Sequence, residues 1–199
     1  MDWRAYHAIN SFVARHTWLG DTFKEVERIG PVLLGAAAVL LWLLARPGSE
    51  RKWKLAASSS LAAAGLALLV NRIIGAGWDR ARPFEAHHVA RVWGARSTDP
   101  SFPSDHSSAA FGIAFAVFFF DRVVGTAFLA AAVLIAGGRV VVGEHYPLDV
   151  VAGLFVGLGA ALLVVRVARP FIELLVRLLE RVTDPILRPL WRRLSGNPA

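Results

Sequence analysis

The chain has 199 residues, of which 55% are hydrophobic and 19% charged, and its formal net charge at pH 7 is +7. This length suits a single domain, and the apolar residues together with 17 glycines exceed the ~45 to 50% that is usual in soluble proteins, so membrane embedding is the simplest interpretation. The absence of cysteine excludes disulfides and cysteine-based zinc sites, and the six histidines are not clustered into a metal motif.

Residues 1–30 mix aromatic side chains with balanced charges, and the aromatic set includes Trp3, Phe12, Trp18 and Phe23. They lack the charged start, the apolar run and the cleavage site of a typical signal peptide. We expect this region to form one or two N-terminal interfacial helices.

Five apolar stretches follow and define a predicted membrane core over residues 31–168. Each is shorter than the ~20 residues that ideally span a bilayer, so any single stretch also fits a buried helix of a soluble bundle. Five in succession, flanked by tryptophans and arginines that anchor at the interface, favour a membrane. The predicted fold is all-α, a polytopic membrane helix bundle with about five to six transmembrane or embedded helices. The stretches are 32–45, 55–70, 107–120, 123–138 and 150–165.

Residues 169–199 form a predicted cytoplasmic C-terminal segment outside this core. From Phe171 onward, apolar residues follow helical spacing with arginines between them. This pattern is typical of an amphipathic helix on an anionic leaflet, and a helix packed on the bundle fits it equally well. The apolar positions are Leu174, Leu175, Leu178, Leu179 and Val182.

The positive charges indicate which ends of the spans face the cytoplasm. The link between the first two stretches holds four cations against Glu50, and the tail after residue 165 holds seven arginines against three acids. Both regions are therefore expected in the cytoplasm, and five spans then place the loop 75–103 and the turn 143–146 on the opposite, extracytoplasmic face. Because the excess cations lie at membrane flanks, we expect a bilayer and no nucleic acid as the charged partner.

Two polar clusters in the first half of the expected site can bind phosphate. Arg80 and Arg82 precede Pro83, which fixes the backbone. Guanidinium forks match phosphate oxygens bidentately and keep their charge, so both arginines are candidate ligands. Ser104 and His106 lie where a turn predicts the start of an apolar helix, whose free amides attract anions.

A third cluster contains Arg139, His145 and Asp149. On a helix, His145 and Asp149 share one face, so the carboxylate can hold one imidazole nitrogen and leave the other free as a nucleophile. Arg139 and Arg82 form the natural clamp for a transferring phosphoryl group. The three clusters make a phosphatase the leading hypothesis.

Together the Arg-Pro, Pro-Ser-x-His and Arg-x5-His-x3-Asp segments resemble the three-part signature of the type 2 phosphatidic acid phosphatase family of membrane lipid phosphatases. The resemblance covers roughly residues 30–165. It is closest to the bacterial undecaprenyl pyrophosphate phosphatases, through residues 80–87 and 101–106. The expected location is accordingly a bacterial plasma membrane, with the site on the extracytoplasmic face.

Three positions depart from the family pattern. The lysine that usually stands seven residues before the first-motif arginine is replaced by Gly75. Its phosphate contact is then absent or supplied by Arg80 or Arg72, and we favour Arg80. The serine that often precedes the third-motif arginine is Gly138. The glycine of the second motif is Asp105, which either tunes His106 or faces away from it.

The resemblance implies a two-step mechanism. His145, oriented by Asp149, attacks phosphorus and forms a phosphohistidine, and His106 protonates the leaving oxygen and then activates water. No cofactor or metal is required, because arginines and helix amides stabilise the charge. The substrate-binding residues are expected to be Arg82, Arg139, Arg80, Ser104 and Asp105.

The expected substrate is an isoprenyl pyrophosphate, with undecaprenyl pyrophosphate as the first choice and its monophosphate as the product that cell-wall synthesis reuses. Phosphatidic acid, phosphatidylglycerol phosphate and a decaprenyl-phosphoryl sugar precursor are alternatives within the same enzyme class. A non-enzymatic lipid-binding or transport protein is the alternative outside it. Oligomeric state is left open.

Overall fold

The computed structural model describes residues 1–45, 51–88 and 90–194, and in these ranges the chain is helical without a strand. Arg46 and Glu50 of the expected cytoplasmic link, and the last five residues of the C-terminal segment, lie outside the described residues. The helices are α1 (Asp2–Arg15), α2 (Thr17–Leu44), α3 (Arg51–Gly77), α4 (Pro83–Ala86), α5 (Asp105–Phe120), α6 (Arg122–Val141), α7 (Pro147–Leu162, continued by a π-helical turn at Leu163–Val167) and α8 (Arg169–Leu194).

The five apolar stretches correspond to five of these helices. Four of them, α2, α3, α6 and α7 with its π turn, are long and apolar enough to cross a membrane. Helices α2 and α3 reach 28 and 27 residues, because polar residues continue each helix beyond its apolar stretch. The fifth, α5, is apolar with 16 residues. The predicted all-α polytopic membrane bundle is confirmed.

The N-terminal region continues into the bundle. Helix α2 runs without a break through residue 30, the boundary expected between interfacial helices and membrane core. Helix α1 packs against α6 and α7, and the buried Tyr6 hydroxyl donates to the Gly143 carbonyl at 3.1 Å. The division into three domains stays a prediction.

Helix α5 lies at the centre and contacts α3, α6 and α7. Glycines permit these close approaches: a Cβ at Gly112 would lie 3.2 Å from the backbone of Ala63 on α3, and one at Gly157 would lie 2.7 Å from the Gly112 nitrogen. Asp121 ends α5 in extended backbone and accepts the first amides of α6. The chain therefore turns sharply and returns to the level at which α5 began.

At the end of the bundle where α3 begins, a buried charge holds α8 in place. Lys54 is fully buried on α3, and its Nζ lies 2.5 Å from Asp184 Oδ1 and 3.4 Å from Glu180 Oε1. The Trp191 indole donates to the Leu43 carbonyl at 2.9 Å. One face of α8 thus packs on the bundle, and a second apolar face stays exposed. That exposed face includes Phe171, Leu174, Leu178 and Val182.

Gly157→Ala is expected to lower the free energy of unfolding by about 1 to 3 kcal/mol, since the added methyl group would overlap the α5 backbone. Gly159→Ala is the matched control, because a Cβ there meets nothing within 4 Å. Thermal unfolding of both variants in the same detergent measures the difference. Equal melting temperatures would contradict the tight α5–α7 packing.

Candidate active site

The three polar clusters meet at one end of the bundle. The segment after α3 brings Arg82, the end of α6 brings Arg139, and the turn before α7 brings His145. Asp149 lies in the first turn of α7, so it does not share a helix with His145 as the sequence spacing predicted. All four side chains are buried, with relative exposures of 2%, 4%, 2% and 0% in that order. Four ionisable groups buried together at the end of an apolar bundle are costly unless they are paired, and such groups usually mark function.

The His145 ring is oriented by a backbone carbonyl. Its Nδ1 lies 2.8 Å from the Ser101 carbonyl oxygen, which can only accept, so Nδ1 carries the proton and Nε2 keeps a free lone pair. Asp149 Oδ2 lies 3.7 Å from the same nitrogen, within ion-pair range but beyond a hydrogen bond. Ser101 thus supplies an orienting hydrogen bond to Nδ1, and the orienting role of Asp149 stays a prediction.

Asp149 is in turn held by three donors. Its Oδ2 accepts from the Ser101 hydroxyl at 2.6 Å and from the Tyr146 amide at 2.9 Å. Its Oδ1 lies 2.5 Å from Arg80 Nη1, and Arg80 Nη2 lies 2.6 Å from Asp2 Oδ2. Arg80 therefore reaches the site as a partner of two carboxylates, and its role as a phosphate ligand stays a prediction.

The unprotonated Nε2 of His145 accepts from two guanidinium groups. Arg82 Nη1 lies 3.2 Å and Arg139 Nη2 lies 3.4 Å from it. The rest of the Arg82 fork is fixed by Asp99, whose carbonyl and carboxylate oxygens lie 2.9 and 3.1 Å from Nε and Nη2. An anion placed between these two nitrogens would lie directly in front of the candidate nucleophile.

Two buried glutamates, which the sequence analysis did not single out, neutralise the clamp. Glu144 Oε2 lies 2.5 Å from Arg139 Nη2 and 3.4 Å from Arg82 Nη1. Glu27 on α2 forms an ion pair with Arg139 Nη1. Arg139 Nε is buried and has no hydrogen-bond partner within the described ranges. The two clamp arginines thus bind carboxylate oxygens that phosphate oxygens could replace. The Arg139 Nε–H group is a further donor for such an anion.

Ser104, Asp105 and His106 form the start of α5 beside this clamp. The Ser104 amide donates to the Asp149 carbonyl at 3.1 Å, and its hydroxyl accepts from Ser107 at 3.1 Å. His106 is partly buried, makes no hydrogen bond to any described residue, and lies in the electrostatic field of Glu144, Asp105 and Arg82. A free imidazole at this place can exchange protons with a bound group.

Asp105 faces α3. Its Oδ1 accepts from the Asn71 amide at 2.7 Å. Together with Arg72 and Gly75 it lines a cavity of about 270 Å³ that also reaches Asp99. The position of the missing family lysine therefore borders a space next to the clamp, and Arg72 shares that space.

The protonation of His145 follows from its surroundings. Burial lowers the pKa of the His145 ring to about 4, and the two guanidinium groups act in the same direction against the opposing effect of Asp149. The ring is therefore neutral at physiological pH, as a nucleophile must be.

The chain is similar in sequence to known proteins. Residues 55–173 match the model of the PAP2 superfamily. The chain is 27% identical over 191 residues to undecaprenyl-diphosphatase BcrC of Bacillus subtilis (strain 168), covering 94% of this chain and 96% of that protein. It is 30% identical over 179 residues to bacitracin transport permease protein BcrC of Bacillus licheniformis, covering 85% of this chain and 88% of that one.

The fold also has a counterpart among solved structures. The crystal structure of Aquifex aeolicus LpxE superimposes with a TM-score of 0.68 at 22% identity, over 82% of this chain and 93% of that chain. At this identity the likeness concerns the fold alone. The family model, in contrast, matches more than half of the chain. The chain therefore belongs to the PAP2 superfamily, the membrane lipid phosphatases whose three motifs it carries.

Proposed function

We propose that this lipid phosphatase hydrolyses an isoprenyl pyrophosphate, first of all undecaprenyl pyrophosphate to undecaprenyl phosphate, through a phosphohistidine. The observation that carries the proposal is the approach of Arg82 and Arg139 nitrogens to within 3.2 and 3.4 Å of His145 Nε2. Nucleophile and charge stabilisers thus converge on one point. This convergence is what a transferring phosphoryl group requires.

In the first step the terminal phosphate replaces the Glu144 carboxylate between the two guanidinium groups, with Ser104 and the first amides of α5 as further ligands. His145 Nε2 attacks phosphorus in line, an N–P bond forms, and the P–O bond to the lipid phosphate breaks. His106, in its protonated form, gives a proton to the leaving oxygen and becomes neutral. The Nδ1–H bond to the Ser101 carbonyl keeps the ring in the reactive tautomer throughout.

In the second step His106 removes a proton from water, and the resulting hydroxide attacks the phosphohistidine. The N–P bond breaks, inorganic phosphate leaves, and His145 returns to its neutral form. Arginines and helix amides supply the charge stabilisation in both steps, so we propose that the reaction proceeds without a metal ion.

The substrate proposal is supported by the relatives. The Bacillus subtilis protein that aligns over nearly the whole chain is named an undecaprenyl-diphosphatase. The name of the Bacillus licheniformis protein, a bacitracin transport permease, keeps transport as the second candidate. Phosphate release by the purified protein separates the two, because a transporter releases none.

We further propose that the chain lies in a bacterial plasma membrane with its site outside. Cations gather at the end of the bundle away from His145, where Lys52, Lys54, Arg122 and Arg169 are found. The positive-inside rule assigns that end to the cytoplasm. The product would then be released at the outer leaflet.

His145→Ala is expected to abolish turnover while the protein still folds, because no neighbouring group can replace the nucleophile. His106→Ala is expected to lower kcat by about 10²-fold or more on a phosphomonoester, the range for loss of a general acid-base. It should cost less on a pyrophosphate, whose leaving group needs a proton less. Phosphate release measures the activity of both variants, and trapping of a phosphohistidine identifies the nucleophile. An intermediate trapped in His145→Ala would assign the nucleophile to another residue.

A substrate panel tests the proposed specificity. In one detergent and in the presence of EDTA, kcat/KM is expected to be higher for undecaprenyl pyrophosphate than for phosphatidic acid. A pyrophosphate offers one more phosphate to the arginines, and each charge-assisted contact contributes about 1.5 to 3 kcal/mol. Equal kcat/KM values would contradict the proposed specificity and leave only the broader assignment as a lipid phosphatase. Activity that returns only when Mg²⁺ is added would contradict metal independence.

The neutral state of His145 predicts an acid-sensitive stability. Its pKa is about 4 in the folded chain against 6.5 for the free side chain, so the unfolded chain binds more protons between these values. Stability is therefore lost as pH falls from 6.5 towards 4, by on the order of 3 kcal/mol. Thermal unfolding across this window should show a shallower loss for His145→Gln. Identical slopes would mean that His145 is not buried in the neutral form.

A further inference from the structure

Helix α2 precedes the part of the chain that matches the family model, residues 55–173, yet it reaches the active site. Glu27 on α2 is buried and forms an ion pair with Arg139 Nη1. The other terminal nitrogen of the same guanidinium, Nη2, lies 3.4 Å from His145 Nε2. Arg139 thus has one nitrogen towards α2 and one towards the nucleophile.

An apolar groove lies between α2 and α6, beginning beside this ion pair. Its volume is about 590 Å³, within the range of pockets that bury small molecules. Glu25 is the only charged residue in its lining and pairs with the exposed Arg28. The remaining lining is apolar: Val26, Ile29, Gly30, Leu33, Leu34, Ala37, Ala127, Phe128, Ala131, Leu134 and Ile135.

The groove runs from the level of the site into the depth of the membrane. Both of its walls are helices long and apolar enough to span a bilayer. Gly30 and Ile135 lie about one turn from Glu27 and Arg139, and the helices nearly touch there, since a Cβ at Gly30 would lie 2.8 Å from Ile135 Cγ1. From Arg139 down to Ala127 the helix rises ~18 Å. A chain attached to a phosphate at Arg139 could follow this path.

We propose that the α2–α6 groove binds the isoprenyl tail of the substrate, and that the phosphate attached to this tail replaces the Glu27 carboxylate on Arg139 Nη1. The inference rests on the proposed function and assigns the two phosphates of the substrate to two sides of one guanidinium. The terminal phosphate lies between Arg139 Nη2 and Arg82 Nη1, in front of His145. The inner phosphate lies at Arg139 Nη1.

The shape and charge of the groove favour a single-chain lipid. A groove between two helices accommodates one hydrocarbon chain, whereas phosphatidic acid carries two chains joined at a glycerol. The Glu27 carboxylate occupies an anion position that a monophosphate, held at the clamp alone, would not need. A prenyl pyrophosphate uses both the groove and the second anion position.

A pair of matched variants on α6 tests the tail subsite. Ala127 and Ala130 are both exposed, but only Ala127 lines the groove. Ala127→Trp is expected to lower kcat/KM for undecaprenyl pyrophosphate by about tenfold or more, and to spare farnesyl pyrophosphate, whose tail is too short to reach this position. Ala130→Trp should spare both substrates. Equal effects of the two variants, or none, would overturn the proposal and indicate a groove filled by bilayer lipid.

Glu27→Gln tests the inner phosphate position, because it removes the carboxylate charge and keeps the side-chain shape. KM for farnesyl pyrophosphate is expected to fall several-fold relative to KM for farnesyl monophosphate. An equal loss of kcat on both substrates, or an unchanged KM ratio, would show that Glu27 only holds Arg139 in place and would overturn this assignment.

The wild-type protein separates this inference from the proposed function. If it releases no phosphate from any isoprenyl substrate, the proposed function fails. If it is active but the Trp variants do not discriminate by tail length, only the groove assignment fails. Thermal unfolding in the same detergent confirms that each variant compared is folded.

Discussion

Two guanidinium groups buried beside an unprotonated histidine set the conditions for the rest of this structure. An uncompensated buried charge costs several kcal/mol, so Arg82 and Arg139 require anions at close range. Asp99, Glu144 and Glu27 provide them. In the proposed mechanism, phosphate oxygens take the positions of the Glu144 and Glu27 carboxylates, and binding therefore exchanges one set of anions for another.

This exchange explains why the site draws on so many parts of the chain. Glu27 comes from α2, Asp99 from the segment before α5, and Glu144 from the turn before α7. They can meet only because the helices approach closely, as Gly157 of α7 does against α5 and Gly30 of α2 against α6. The charge balance at the end of the bundle therefore depends on the close packing of small residues within it.

The sequence predicted what is local and periodic. The five apolar stretches became five helices. His145 and Asp149 were expected on one helix, but α7 begins only at Pro147, so His145 lies in the turn before it. The ion pair between Glu27 and Arg139 joins residues 112 positions apart, and nothing in the local pattern around Glu27 names its partner. A signal was present, since the buried positions Gly20, Glu27 and Leu34 recur every seven residues and share one face of α2.

The residues that orient His145 and Asp149 could not be predicted from local sequence patterns either. Ser101 was quoted only as part of a motif, yet its carbonyl orients His145 and its hydroxyl binds Asp149. Arg80 was expected to bind phosphate because a lysine is missing at Gly75. In the structure it lies against Asp149 and Asp2, a partner that α1 supplies from the far end of the chain, and its phosphate contact stays a prediction. The spacing of the motifs identifies residues that can react. Which side chains orient those residues is decided by tertiary contacts.

The buried site also constrains how a lipid reaches it. From the aqueous side, the segment that carries Trp93 and Gly94 covers Glu144, and the Trp93 amide donates to the Val142 carbonyl at 2.9 Å. Approach from water over Glu144 would displace this segment and its packing against α2. In the proposed arrangement a headgroup that moves along the α2–α6 groove replaces one carboxylate on Arg139 and brings the anion that compensates the same charge. The displaced Glu27 carboxylate must then take up a proton or reach water, because a low-dielectric site penalises an unpaired charge.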